Sequence, residues 1–474
     1  MEFSNRVLEI FKELNTIPRG SGHMEQIAEF CMSFANKHNL KCEKDSANNV
    51  IIYKDATPSM KNSHPVILQG HLDMVWQKTE DCQIDFLKDP IETFVDGDFL
   101  RANKTTLGAD NGIAVSIIMA ILESNSLEHP PIEAVFTTDE EVGMLGAVKL
   151  DTSNLKSKRM INLDSEEEDT VTVSCAGGSE FSLNAPFERV KVTGTKISVN
   201  LTGLQGGHSG VEIHKGRQNA TLLAVRILNH LYQKFDFDLI SLNAGDKSNA
   251  IPNNATFEIV TSTPTQLVEE LKDYLVTVKK ELSFREPNFE YSVITGQSGD
   301  FFTLPEKTKN DLFQFLVSAP NGVIANSCEI EDLVETSLNL GIFKTDETEM
   351  NLCFSLRSNK ESAIKYLEEK LVTLSKCIDC TTKISGSYPA WEYTDNSPLR
   401  KMYEESYKEQ FSKEPKIEAI HAGLECGVFA SKIPDLDCIA IGPTLFDVHT
   451  TKERMCISSL ENFCKLLLNF LKKL

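Results

Sequence analysis

Pro65-Val-Ile-Leu-Gln-Gly-His-Leu-Asp73 decides how this 474-residue chain is read. Residues 65–69 form a short apolar run with the length of a buried strand, and His71 and Asp73 stand just beyond its end. Working outward, the same texture recurs at Asn49-Val-Ile-Ile-Tyr53, at 132–137 and at 160–163. Between these runs, apolar residues at helical spacing predict helices over 2–14, 24–38 and 112–123. Strands alternating with helices predict an α/β domain around a largely parallel sheet.

From about Lys191 the pattern changes. Ile197-Ser-Val-Asn-Leu-Thr202 alternates like a half-exposed strand, and helices fit 217–234 and 265–282. Strand patterns at 333–341 and 348–357 precede a helix over 360–376, and Ser385-Gly-Ser-Tyr-Pro-Ala-Trp391 reads as a turn-rich exit. The α/β texture then returns. Ser397 before Pro398 has helix-start chemistry, a strand fits 438–441, and Ser458 with Glu461 spells a capping box for the last helix. The expected organisation is an α/β domain (1–187 and 387–474) interrupted by an inserted α+β lid (188–386).

Composition narrows the function. With 48 basic and 69 acidic residues the formal charge is −21, which disfavours binding to nucleic acid or to an anionic membrane surface. Clustered carboxylates suit divalent cations instead. The longest apolar stretch, 113–122, is about half of the ~20 residues that a spanning helix needs. Twelve cysteines without regular spacing point to reduced thiols in a cytoplasmic protein. The lone Cys377-x-x-Cys380 lacks the second pair that a zinc ribbon requires.

Chemistry-bearing residues fall just past the expected strands or at helix starts. His71 and Asp73 follow one strand, Glu140 and Glu141 another, Asp164 a third, and His449 the last, while Asp110 opens the 112–123 helix. Carboxyl ends of strands form the ligand crevice in open α/β sheets, so these loops can converge. Two histidines with three or four carboxylates exceed what one tetrahedral zinc takes, but suit a pair sharing a carboxylate. Asp73, two residues on in extended spacing, can fix the His71 tautomer. Asp110, in Gly108-Ala-Asp-Asn-Gly112, also reads as a turn or helix cap. Glu140 and Glu141 read as a solvated strand exit unless a metal takes one and leaves the other as a base.

Leu68-Gln-Gly-His-Leu-Asp73, Gly108-Ala-Asp110, Thr138-Asp-Glu-Glu-Val-Gly143, Asn162-Leu-Asp164 and the late His449 resemble the co-catalytic zinc peptidase superfamily of carnosinases, peptidase T, aminoacylases and glutamate carboxypeptidases. Gly206-Gly-His-Ser-Gly-Val-Glu-Ile-His214 and His421-Ala-Gly-Leu-Glu-Cys-Gly427 extend the likeness, within that group, toward the bacterial aminoacyl-histidine dipeptidases. The resemblance implies two Zn2+ ions bridged by Asp110, with His71 and Asp164 on one and Glu141 and His449 on the other. Cobalt or manganese would accept the same donors.

It further implies that Asp73 orients His71 and that Glu140 is the general base. His208, whose glycine-rich surroundings also read as a flexible loop, would donate to the oxyanion from its own or a neighbouring subunit. Asn249 and Arg357 would contact substrate, although Arg357 alone also reads as a surface ion pair. His421, Gly423 and Glu425 would line the substrate side. The implied activity is hydrolysis of small unblocked dipeptides, Xaa-His and β-alanyl-histidine among them, by a cytoplasmic homodimer joined through a lid that closes over substrate. Rival readings are an N-acyl-amino-acid amidohydrolase with the same ions and a catalytically silent binding protein.

Overall fold

The computed structural model describes residues 2–474, which divide into two compact units. The first comprises the chain up to Cys175, Trp391–Ala419 and Leu424–Leu474; the second comprises Ala176–Ala390 and Ile420–Gly423.

An eight-stranded sheet organises the first unit. Its spatial order is Lys41–Lys44, Val50–Lys54, Ile132–Thr137, Val66–His71, Arg159–Asn162, Asp437–Ala440, Thr170–Cys175 and Lys416–Ile420. The four strands from Ile132–Thr137 to Asp437–Ala440 run parallel, and their flanking neighbours run antiparallel. Val66–His71 and Ile132–Thr137 are buried at every position. Continuous apolar strands of that kind are what a sheet covered on both faces requires.

Helix Ala109–Glu123 packs against Val66–His71 and against helix Phe3–Leu14. Its apolar residues face all round, and from Ile113 to Leu122 every one is buried, as expected of a helix with no solvent face. Each fully buried Ile or Leu there contributes about 1.5–3 kcal/mol relative to exposure. Because Val66–His71 and Ile132–Thr137 pair in parallel, with His71 opposite Thr137, the segments leaving them emerge at one edge of the sheet. The neighbouring Arg159–Asn162, with Asn162 opposite Gln69, sends Leu163 and Asp164 to the same edge.

The second unit is built on a nine-stranded antiparallel sheet, with Glu290–Thr303 at one end of the strand order and Thr381–Tyr388 at the other. Helices Ala220–Tyr232, Pro264–Leu282, Glu306–Ser318 and Glu361–Ser375 bury their apolar stripes into its core, with Leu228, Leu271, Phe315 and Leu371 fully enclosed. In Val190–Thr202 the buried residues Ile197, Val199 and Leu201 alternate with partly exposed ones, the period-2 signature of a sheet with one covered face.

Three readings need correction. The expected exit at 385–391 is partly strand: Thr381–Tyr388 pairs with Gly177–Pro186, and the turn residues are absorbed as a register break beside Gly386, which sits at φ +60. Ser458 does not cap the last helix, Ile457–Leu471. Its hydroxyl donates to Asp98 Oδ2 (2.5 Å), whose other oxygen accepts the Ser458 N–H at 3.0 Å. The structural limits of the units also differ from 187/188 and 386/387. Gly177–Pro186 pairs along its length with Glu349–Ser358, which draws it into the second unit. All twelve cysteines are free thiols. No helix among the described residues is long and apolar enough to cross a membrane.

Candidate metal centre

The carboxyl edge of the parallel strands gathers the imidazoles and carboxylates of the first unit. His71 Nε2 lies 3.1 Å from Asp110 Oδ1 and 3.5 Å from Asp164 Oδ1. His449 Nε2 lies 2.9 Å from Asp110 Oδ2 and 2.9 Å from Glu141 Oε2. Asp110 therefore turns one oxygen to each of two groups. Ligand atoms of His71, Asp110 and Glu141 all fall within 4.8 Å of one another.

Local structure fixes these positions. His71 Nδ1 lies 3.1 Å from the Asp73 carbonyl and 3.4 Å from Asp73 Oδ1, so a proton on Nδ1 is held there and Nε2 is turned to the carboxylates. Asp73 itself is fully buried. Its Oδ1 accepts the Glu140 N–H (3.0 Å), and its Oδ2 accepts the Glu141 N–H (3.2 Å) and the Ser21 hydroxyl (2.8 Å). The carboxylate thus holds both glutamates by their backbone as well as bracing His71.

Asn111 was not singled out by the sequence reading, yet it links three segments. Its Oδ1 accepts the His71 N–H (3.2 Å), and its Nδ2 donates to the Leu163 carbonyl (3.0 Å) and Asp164 Oδ1 (2.7 Å). Glycine at position 70 makes room for it, since a Cβ there would stand 2.5 Å from Asn111 Oδ1. Glu425 is also fully buried. Its Oε2 accepts from Gln69 (2.5 Å) and Thr137 (2.7 Å), and its Oε1 has no partner. Burial, with Asp164 and Asp73 nearby, pushes its carboxyl up to about 7 against the opposing pull of His71 and Thr137.

Electrostatics reflects the crowding of charge. Burial pulls the His71 imidazole down, but Asp164, Asp110 and Asp73 outweigh it and hold it well above its ordinary value. Hydrogen bonds to Asp110 and Glu141 push His449 up to about 11. Burial would raise Asp110, yet His449 and His71 hold its carboxyl well below the usual range. Burial first, and then neighbouring carboxylates, raise Glu140, Glu141 and Asp164. The donor set fits divalent cations: two imidazole nitrogens face three carboxylates, and Glu141 Oε1 is buried without a hydrogen-bond partner.

In the second unit, two backbone amides, of Gly210 (3.1 Å) and Val211 (3.2 Å), donate to His208 Nδ1. An acceptor Nδ1 places the ring proton on Nε2. Burial and the Arg357 charge push this imidazole down to about 4, with Glu212 opposing, so it is neutral at pH 7. Gly210 sits among His208, Arg357 and the His421 carbonyl. Arg357 is buried rather than in a surface ion pair; its Nη1 donates to the Tyr388 hydroxyl at 2.9 Å, and its Nε has no partner. His421 bonds Ser337 through Nε2 at 2.7 Å. Asn249 is exposed, and its carbonyl accepts the Ser209 N–H at 2.9 Å. Gly423 closes the short Ile420–Gly423 segment.

Histidines meeting carboxylates where parallel strands end are the equipment of a metallohydrolase, and comparison with known proteins narrows that class to a metallopeptidase. Residues 67–473 match the model of Peptidase family M20/M25/M40, and the chain belongs to that family. It is 38% identical over 470 residues to the cytosol non-specific dipeptidase of Escherichia coli strain K12, covering 98% of this chain and 97% of that protein. The aminoacylhistidine dipeptidase of Vibrio alginolyticus superposes with a TM-score of 0.89 at 34% identity, over 100% of this chain and 98% of that one. Aminopeptidase PepT of Bacillus cereus shares the fold, with a TM-score of 0.56 at 12% identity over 99% and 98% of the two chains.

Proposed function

We propose that this protein is a cytoplasmic dipeptidase that hydrolyses small unblocked dipeptides, Xaa-His and β-alanyl-histidine among them, at a dinuclear zinc site. The observation that carries the reading is the division of Asp110 between two groups, Oδ1 toward His71 and Asp164 and Oδ2 toward His449 and Glu141. These five residues would hold the ions, with cobalt or manganese as alternatives. When bound, the ions supply Lewis acidity toward water and toward the scissile carbonyl.

The chain's own groups do the rest. Glu140 accepts a proton from the attacking water at its carboxylate and returns it to the departing amine nitrogen. Asp73 keeps Glu140 and Glu141 in place through their amides. His208, neutral and with its proton on Nε2, donates to the developing oxyanion, in its own chain or across a dimer. The Arg357 fork takes the substrate carboxylate, and Asn249 and Gly423 contribute to the same binding surface. A homodimer through the second unit is supported by exposed Ile294 and Phe302 on Glu290–Thr303, a terminal strand of its sheet.

Metal analysis and a substrate panel on one preparation test this reading. The expected result is about two divalent ions per chain, as the shared carboxylate implies. Turnover is expected on β-Ala-His, Gly-His and Leu-Gly, and not on N-acetyl amino acids. Efficient deacylation with no cleavage of any unblocked dipeptide would remove the dipeptidase assignment.

A further inference from the structure

We propose that Glu453, with Arg19 behind it, is a positioning residue of the metal centre. It fixes the turn that presents both oxygens of Asp110 and ties that turn to the loop carrying His449. The inference rests on the reading of Asp110 and His449 as ligands.

Glu453 is almost completely buried, 3% exposed. Its Oε2 accepts the N–H groups of Leu107 (2.7 Å) and Gly108 (3.0 Å), and its Oε1 those of Ala109 (2.8 Å) and Asp110 (3.3 Å). Four successive amides thus occupy the roughly four lone-pair sites of one carboxylate. They lie on the turn that leads into Ala109–Glu123, where the backbone of Asp110 and Asn111 is not helical, and buried backbone N–H groups outside regular structure need a partner of this kind. Turns are ordinarily held by a neighbouring side chain. This one comes from 344 positions along the chain from Ala109, and four residues after His449.

The Glu453 side of the clamp is itself braced. Its own N–H bonds the Thr450 carbonyl (3.1 Å), and the Thr450 hydroxyl bonds the Asp447 carbonyl (2.7 Å). His449 lies inside that turn, so one residue holds the backbone of Asp110 through its carboxylate and the base of the His449 loop through its own N–H.

Arg19, 1% exposed, grips the turn from the other side. Its Nη2 donates to the Gly108 carbonyl (2.6 Å) and Asn15 Oδ1 (3.2 Å), and its Nη1 to the Leu72 carbonyl (3.4 Å), between His71 and Asp73. Gly108 sits at φ +72, and a Cβ there would collide with the Arg19 guanidinium and with Met74 Sδ. Arg19 and Glu453 therefore couple three ligand-bearing segments without meeting the ligand atoms themselves.

The test is a metal titration of the stripped full-length chain, with the visible spectrum of the Co2+ form and the melting temperature of the metal-free form. Glu453→Gln keeps the volume but turns an NH2 toward two of the four amides. Its Zn2+ affinity is expected to fall about 10–100-fold, with kcat falling alongside it, KM little changed and the Co2+ spectrum altered. Glu453→Asp, which keeps the charge on a shorter stem, is expected to recover part of the affinity. Wild-type affinity and spectrum in Glu453→Gln would overturn the proposal, even with a lowered melting temperature, because a purely structural clamp predicts that pattern. If Glu453→Gln does not fold, Arg19→Lys is read by the same titration: weakened binding supports the proposal and unchanged binding overturns it. A wild-type chain that binds no divalent ion would overturn the metal-centre reading itself, and this inference with it.

Discussion

Asp73 accepts the amides of Glu140 and Glu141 on separate oxygens, so two adjacent like charges are held by a residue that follows a different strand. Glu140 is thereby free to act through its side chain while Glu141 faces His449. If Glu140 is the base, Glu140→Gln is expected to lower kcat by about 10²–10⁴-fold while metal content stays at the wild-type level. Turnover unchanged in that variant would remove Glu140 from the role. His71 and Asp73 were legible as a pair from their spacing. Asn111 was not, because an asparagine in Gly108-Ala-Asp-Asn-Gly112 reads as a turn residue. Only its bonds to His71, Leu163 and Asp164 reveal it as a brace.

Strand Val66–His71 and helix Ala109–Glu123 approach closely because position 70 has no side chain. Gly70→Ala would drive a Cβ to 2.5 Å from Asn111 Oδ1 and 3.1 Å from Ala114 Cβ. Overpacking of this kind costs about 1–3 kcal/mol, read as a lower denaturation midpoint with an unchanged slope. Metal affinity is expected to weaken with it, since Asn111 must move; an unchanged midpoint would show that the strand–helix contact adapts freely. At this scale the apolar runs were the legible part: 132–137 was read with the bounds the strand has, and 265–282 lies one residue from Pro264–Leu282. Glu290–Thr303, by contrast, carries two glycines, two acids and two serines, with no sustained alternation. Pairing with Val190–Thr202, not propensity, makes it a strand.

At the scale of the whole molecule, the carboxylates that face His71 and His449 set a pH dependence. In the metal-free chain His71 is held well above its ordinary value, and His449 is raised to about 11 by Asp110 and Glu141. An imidazole raised on folding contributes stability that is complete below its unfolded value of about 6.5 and lost as pH rises through its folded value. The chelated protein is therefore expected to lose thermal stability as pH rises from about 7 to 10. If His71 and His449 are the ligands proposed above, the metal-loaded protein should lose less, because both would already be neutral. A chelated protein whose melting temperature stays flat or climbs over that interval would remove this account. By itself the sequence determined where strands end and which histidines and carboxylates stand there, because apolar periodicity and local spacing are written in consecutive residues. Only the tertiary structure decided that Glu453, from the far end of the chain, holds the four amides of the turn ending at Asp110, and that polar segments of the second unit become strands. Those outcomes depend on partners tens to hundreds of residues away, and no local pattern encodes the distance between them.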